Sequence, residues 1–426
     1  MKLSRFLSLI ILCNNLFKFV INKGIFKEDD HLEDDNGDNN QLMHSSQRFL
    51  NGNLINDRNL ILSIRKPTKN DDPSQKNCDC VPYYLCLNNS IITDGEGLID
   101  IRMQDGPCTS YLDFCCKTEN KIPIQTNKID FPLKKSVGCG IRNPEGVGFR
   151  ITGDKNNESQ YGEFPWMVAI LYEEPYENND NNDVIPQSRI NIYQCGGSLI
   201  HPRVVITAAH CVSDKKKQKS LKIRAGEWDT QTKSEQYPHQ DRDVEKVIIH
   251  ELYYDRALFN DIALLILKSP VNIAENVDVA CLPEQAMITP EGTRCIASGW
   301  GKNVFGQKGQ YQVILKKIEL PIVGDLACTQ SLQKTRLGNR FQLHPSFICA
   351  GGEAGRDTCK GDGGSPLVCP ISGIPNRYYQ AGIVAWGIGC GEQQTPGVYV
   401  NVALFRDWID LQLKNNKINT DTYSFS

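Results

Sequence analysis

Apolar residues along this chain gather in short blocks, each bounded by turn-forming residues. The blocks Trp166–Tyr172, Gly197–His201, Val204–Thr207, Ala263–Leu267 and Gly382–Trp386 have strand length. They are rich in branched and aromatic side chains, and so predict many short strands in a barrel-type all-β domain. Phe405–Leu413 breaks the pattern: its apolar residues recur at helical spacing and predict a C-terminal helix. The acidic insert Glu173–Arg189, between the first two blocks, reads as a solvated loop.

The N-terminal third follows different rules. The apolar run Phe6–Leu12 comes after Lys2 and Arg5 and is too short to span a bilayer. It reads as a signal peptide over residues 1–23, cut between Val20 and Gly24. Residues 24–77 are polar, and 27–40 hold seven acids and one lysine. Such a leader buries too little apolar surface to offset the entropy of ordering, so disorder is expected. Of 17 cysteines, only Cys13 falls in the signal segment, and the remainder is an even set suited to an oxidising compartment. A net charge of −3 carries no nucleic-acid signature. No later stretch is long and apolar enough to cross a membrane. The expectation is a secreted, extracellular protein with glycosylation acceptors at Asn88 and Asn157.

Cys78, Cys80, Cys86, Cys108, Cys115 and Cys116 crowd into one short span. This predicts a minidomain over 78–116, too small to be held by burial alone. A zinc site is disfavoured because the span has no histidine, and spacing leaves the disulfide pairing open. Arg102 is the only basic residue between Cys78 and Cys116. It sits in the long Cys86–Cys108 stretch, a length that marks exposed or functional loops. The Arg102–Met103 bond is therefore the candidate for regulatory cleavage. A linker over 117–149 leads to the main body, 150–417, and a tail, 418–426.

The main body carries the chemistry. His210 lies in Thr207-Ala208-Ala209-His210-Cys211, and Asp261 precedes the apolar run Ile262–Leu265. Gly361-Asp362-Gly363-Gly364-Ser365-Pro366 comes later in the chain. An aspartate that orients a histidine, which takes the proton of a nucleophile, is the logic of acyl transfer. With these motifs in this order, the chain from Cys139 to about Lys417 resembles a chymotrypsin-family serine protease domain. The family's loop reads G-D-S-G-G-P, so the resemblance places Gly363 at the nucleophile position, where no side chain exists to attack. Ser365 lies two residues on, roughly 6 Å away at about 3.3 Å per extended residue. Proton transfer to His210 needs about 2.6–3.2 Å. Ala385 stands where the family has a serine that supports the buried aspartate. Backbone donors at Gly361 and Gly363 could still form an oxyanion hole.

The resemblance also implies a double antiparallel β-barrel with the terminal helix docked on the second barrel. It implies disulfides Cys139–Cys281, Cys195–Cys211, Cys295–Cys369, Cys328–Cys349 and Cys359–Cys390. A pocket with Asp357 at its floor and Gly387 and Gly397 in its walls would suit a basic side chain. No cofactor is required for catalysis; a calcium ion between Glu227 and Glu235 is expected only by analogy. The family's activating cut would fall at Arg150–Ile151 and pair the new amine with Asp362. Here Ile151-Thr152-Gly153 departs from the usual start.

The cysteine spacing before the body resembles an arthropod clip domain, implying pairs Cys78–Cys115, Cys80–Cys108 and Cys86–Cys116. The combination resembles the non-catalytic clip-domain serine protease homologues. That resemblance implies a binding cofactor for prophenoloxidase in melanisation, cut by an upstream clip-domain protease and forming homo-oligomers afterwards. No nucleic-acid or membrane partner is expected. The alternatives are an active trypsin-like endopeptidase using a remodelled Ser365, and a venom or adhesion protein on the same shell.

Overall fold

The computed structural model describes residues 138–425 apart from 149, 153–156, 178–183, 232–234, 302–310, 359–360 and 390, together with five short strands ahead of them. Those strands are β1 (Arg48–Leu50), β2 (Asn53–Ile55), β3 (Asp79–Pro82), β4 (Leu98–Asp100) and β5 (Asp113–Cys116). β3 and β5 pair antiparallel, with Cys80 opposite Cys115. β4 runs parallel to β6 (Arg150–Thr152).

Two closed six-stranded antiparallel barrels follow. The first comprises β7 (Met167–Glu177), β8 (Val184–His201), β9 (Val204–Thr207), β10 (Leu221–Ala225), β11 (Gln240–Ile249) and β12 (Ala263–Leu267). It closes through pairing of β8 with β9. The second comprises β13 (Arg294–Gly299), β14 (Lys316–Val323), β15 (Phe347–Gly351), β16 (Pro366–Pro370), β17 (Tyr378–Trp386) and β18 (Pro396–Asn401). Every residue of β9 and β12 is buried. This explains why both read as unbroken apolar runs rather than alternating ones, and each large side chain so placed contributes roughly 1.5–3 kcal/mol. α1 (Ala209–Val212) follows β9, α2 (Asp325–Gln333) lies between β14 and β15, and α3 (Arg406–Asn415) carries the expected terminal helix. Among the described residues, no helix is long and apolar enough to cross a membrane.

Three expectations need correction. The leader is not wholly irregular, because β1 and β2 form a hairpin and β1 pairs with Asn191 and Ile192 on the outer edge of β8. These strands read Arg-Phe-Leu and Asn-Leu-Ile, a short apolar pair within the polar leader, and an exposed strand edge can pair with them through backbone groups. The insert Glu173–Arg189 is not simply a loop: β7 and β8 extend through it as a ribbon, pairing Glu173 with Asn191 and Glu177 with Val184. The Glu173 carboxylate is neutralised within this ribbon region by Arg189 at 3.2 Å and by Lys222. Finally, the tail is part of the body. Tyr423 is fully buried, donates its hydroxyl to Asp410 Oδ1 at 2.7 Å, and lies under the Arg406 guanidinium. Its carbonyl accepts from the Leu282 amide at 2.9 Å.

Replacing that ring tests the docking: Tyr423→Ala is expected to cost about 3–5 kcal/mol of unfolding free energy, as for other buried aromatic truncations. Denaturant unfolding measures it; a change below about 1 kcal/mol would show the tail to be dispensable.

Candidate functional site

The cleft between the barrels brings His210, Asp261 and Gly363 together. His210 rides on α1, pinned to β8 by the Cys195–Cys211 disulfide. Asp261 enters the core from a left-handed residue, Asn260, at φ 55°. The aspartate is fully buried, and both of its oxygens serve His210. Oδ1 accepts from the His210 amide at 2.8 Å, and Oδ2 lies 2.6 Å from Nδ1. The other ring nitrogen, Nε2, faces Gly363 and lies 3.5 Å from Cys211 Sγ. A Cβ added to Gly363 would stand 2.9 Å from Nε2. The imidazole thus leans into space that a side chain at 363 would need.

Ser365 does not replace the missing group. It is fully buried, its Oγ has no hydrogen-bond partner, and it sits against Gly196 of β8, where an added Cβ would collide with it. The loop around it is held on every side. Gly196 N donates to Gly363 O at 3.0 Å, Gly364 N to Val384 O at 2.9 Å, and Val384 N to Ser365 O at 2.9 Å. Asp362 Oδ1 accepts from Gly301 N at 2.8 Å. The Tyr193 hydroxyl donates to Gly361 O at 3.0 Å. Burial and the Asp362 charge hold that phenol well above its usual range, so it remains a donor. Tyr193 packs edge-on against Trp300 and Tyr311. Sequence reasoning missed this aromatic support; its one local signal was a tyrosine two residues before Cys195. Ala385, on β17, is buried and brings no hydroxyl to the cleft.

Asp357 is half-buried. Its Oδ1 accepts from Thr358 N at 2.8 Å and its Oδ2 from Gly391 N at 3.3 Å. Burial, with help from the Asp362 charge and against those two amides, pushes its carboxyl up to about 6. A Cβ on Gly397 would stand 2.9 Å from Asp357 Oδ1, whereas one on Gly387 would meet only Gly389 O at 3.9 Å. Neither glycine places a side chain there.

Glu227 and Glu235 are both buried. Glu227 Oε2 lies 3.1 Å from Arg224 Nη1 and 3.2 Å from His239 Nδ1. Glu235 Oε1 accepts from Asp229 N at 3.3 Å. Burial first, then the charges of Glu227 and Asp229, pushes the Glu235 carboxyl up to about 9. The buried Arg224, which also binds Asp241, was not foreseen from sequence.

Disulfides Cys139–Cys281, Cys195–Cys211, Cys295–Cys369 and Cys328–Cys349 are all present. Cys80 is disulfide-bonded. Cys78, Cys86, Cys108, Cys359, Cys390, Asn88, Arg102 and Met103 lie outside the described residues. Asn157 is exposed, at φ 60°. The Arg150–Ile151 bond lies inside β6, with Ile151 opposite Ile99 of β4.

Comparison with known sequences accounts for both parts. The trypsin family matches residues 154–409, and the serine protease clip domain family matches 67–117. The chain belongs to the clip-domain serine proteases. It is 56% identical over 292 residues to phenoloxidase-activating factor 2 of Galleria mellonella, covering 68% of this chain and 94% of that protein. It is 39% identical over 363 residues to inactive CLIP domain-containing serine protease A28 of Anopheles gambiae, covering 80% of this chain and 90% of the relative. Inactive protease A8 of the same mosquito is 38% identical over 340 residues, with 79% and 88% covered. Within this clip-domain family, relatives named as inactive support a non-catalytic homologue.

The buried Ser365 hydroxyl has a direct test. An irreversible serine-directed phosphonate is expected to leave the protein unlabelled. Ser365→Ala is expected to be neutral or to stabilise by about 1 kcal/mol, since it removes a buried unpaired group. Covalent labelling at Ser365, read by mass spectrometry, would reverse this assignment.

Proposed function

We propose that this protein is a secreted, catalytically silent cofactor for prophenoloxidase activation. An upstream clip-domain protease cuts it at Arg102–Met103, after which it self-associates and holds a partner in its cleft. The observation that carries this reading is the glycine at 363 in front of an otherwise complete His210–Asp261 pair. Acyl transfer needs a nucleophile beside a base, and Ser365, two residues past Gly363, is buried without a partner. The naming of one relative as a phenoloxidase-activating factor, and of others as inactive, supports the cofactor role. The double cysteine framework and the absence of a membrane-length helix among the described residues are consistent with secretion. Arg102 suits a switch because it lies two residues past β4, the strand paired with the Arg150–Ile151 segment.

In this reading the Asp357 pocket binds a basic side chain of the partner without cutting beside it. Glu227 and Glu235 would hold a calcium ion, which supplies a divalent charge to a buried acid pair. Burial first, and then the charges of Glu227 and Asp229, push the Glu235 carboxyl up to about 9, and a divalent cation would relieve that strain on the ionised acid.

Phenoloxidase activity generated from the zymogen and its activating protease is expected to rise when the cleaved protein is added. The Arg102→Gln variant should stay silent; equal activity with and without the protein would remove the cofactor role.

Binding of p-aminobenzamidine should require ionised Asp357. With that carboxyl at about 6 rather than its usual value near 3.8, affinity is flat above pH 7 and falls about tenfold per unit below pH 6. Asp357→Asn should abolish it, and a pH-independent affinity would contradict the assignment.

Calcium should raise the thermal midpoint over that in chelator, with no rise in Glu235→Gln. An unchanged midpoint in the wild-type protein would exclude the site.

A further inference from the structure

We infer that the groove between the turn after α2 and the segment 388–395 is a docking site for a carboxylate-rich segment of a protein partner. The groove encloses about 350 Å³. Lys334, Thr335 and Arg336 form one side, with Ile388, Glu392 and Gln394 among the residues opposite. Lys334 and Arg336 are exposed and carry no ion pair, and the same holds for Arg340 on the same turn. Several other surface cations are answered by acids. Arg294 and Arg356 both reach Glu353, Arg203 reaches Glu245, and Arg406 reaches Asp410.

The cations are presented on a braced turn. Thr335 Oγ1 donates to Leu332 O at 2.6 Å and accepts from Leu337 N at 3.3 Å, while Gln333 Nε2 donates to Phe341 O at 2.8 Å. The Cys328–Cys349 disulfide ties α2 to β15. Unpaired positive charge on a pre-organised turn is what electrostatic complementarity to an acidic partner requires. The opposite wall is also fixed: Gln394 sits at φ 63°, and its amide donates to Gly352 O at 2.8 Å.

The groove's position argues for a polypeptide over a uniformly anionic polymer. Its far wall, Ile388 and Glu392–Thr395, adjoins Gly391, whose amide binds Asp357. A partner chain with a basic residue beside Asp357 therefore passes the groove with its neighbouring residues. A polysulfated chain would meet the Glu392 carboxylate in the groove and Asp357 beyond Gly391, whereas a segment of mixed sign would not be repelled. This deepens the cofactor reading by giving the partner segment a charge pattern. It is decided by peptide binding, whereas the cofactor reading is decided by the phenoloxidase assay, so the two can fail separately.

The test uses two fluorescent peptides of equal length, each with one arginine, followed in one by glutamates and in the other by glutamines. Anisotropy with the full-length protein is expected to show the glutamate peptide binding about tenfold more tightly at low salt, with the advantage shrinking as salt rises. The double variant Lys334→Glu/Arg336→Glu should lose that advantage with an unchanged thermal midpoint. Equal affinities, no binding of either peptide, or an advantage that survives charge reversal would overturn the proposal. So would a heparin oligosaccharide that binds through these two residues while the glutamate peptide is ignored.

Discussion

The nucleophile loop passes between the barrels where almost no side-chain volume is available, and the rest of the cleft depends on that constraint. Gly196 lies against Ser365, Gly299 and Gly301 against Asp362, and Gly364 against Thr207 and the Gly196 carbonyl. Each contact would become a collision with one added carbon. The loop is therefore positioned by backbone hydrogen bonds to both barrels, not by the residue at 363. Removing a side chain there takes away the chemistry and leaves the scaffold standing. The same close packing keeps Ser365 from substituting, because its hydroxyl is committed to the inter-barrel contact.

What the sequence made legible follows from how strongly each feature is locally specified. β9 and β12 were bounded correctly because both are buried throughout and, apart from Thr207 at the end of β9, apolar. The disulfides implied by family resemblance are present wherever both cysteines are described. The hidden features are those that depend on distant partners. The β7–β8 ribbon crosses an acidic stretch whose charge is answered by Lys222, on β10. The β1–β2 hairpin had a local signal in Asn51-Gly52 between two short apolar runs, but its pairing with the edge of β8 depends on a distant backbone. Tyr423 is one of two aromatics in a short polar tail, and its partners, Asp410 and Arg406, lie on α3. The approach of His210 over Gly363 is equally invisible in sequence, since it is a matter of tenths of an ångström.

Charge also determines how the upstream chain stays attached. Glu163 is fully buried, and its carboxylate is shared by Arg142 at 2.6 Å and Lys317 at 2.8 Å, with the Gln160 amide at 2.7 Å. Arg142 packs over the rings of Phe164 and Tyr378. Removing one partner of such a pair strands a buried charge, at about 3–5 kcal/mol. Together with the Cys139–Cys281 bond, this fastens residues 139–142 to the body covalently and electrostatically. A cut at Arg150–Ile151 would therefore leave the upstream chain in place, with β4 still attached to it. Proteolysis of this molecule can rearrange strand pairing without releasing a fragment.

The persistence of His210 and Asp261 beside a vacant nucleophile position follows from the same asymmetry of burial. Asp261 has no exposed surface, and both of its oxygens depend on His210. Losing the imidazole would remove one of the two donors to a buried carboxylate, and losing Asp261 would leave buried donors without an acceptor. Either loss carries the desolvation cost of an unsatisfied buried group, about 1–3 kcal/mol and more for a charge. Position 363 has no such dependants: Gly363 carries no side chain, and the imidazole leans over it. The two residues that look most catalytic are thus held by the stability of the fold. Their presence therefore says little about activity.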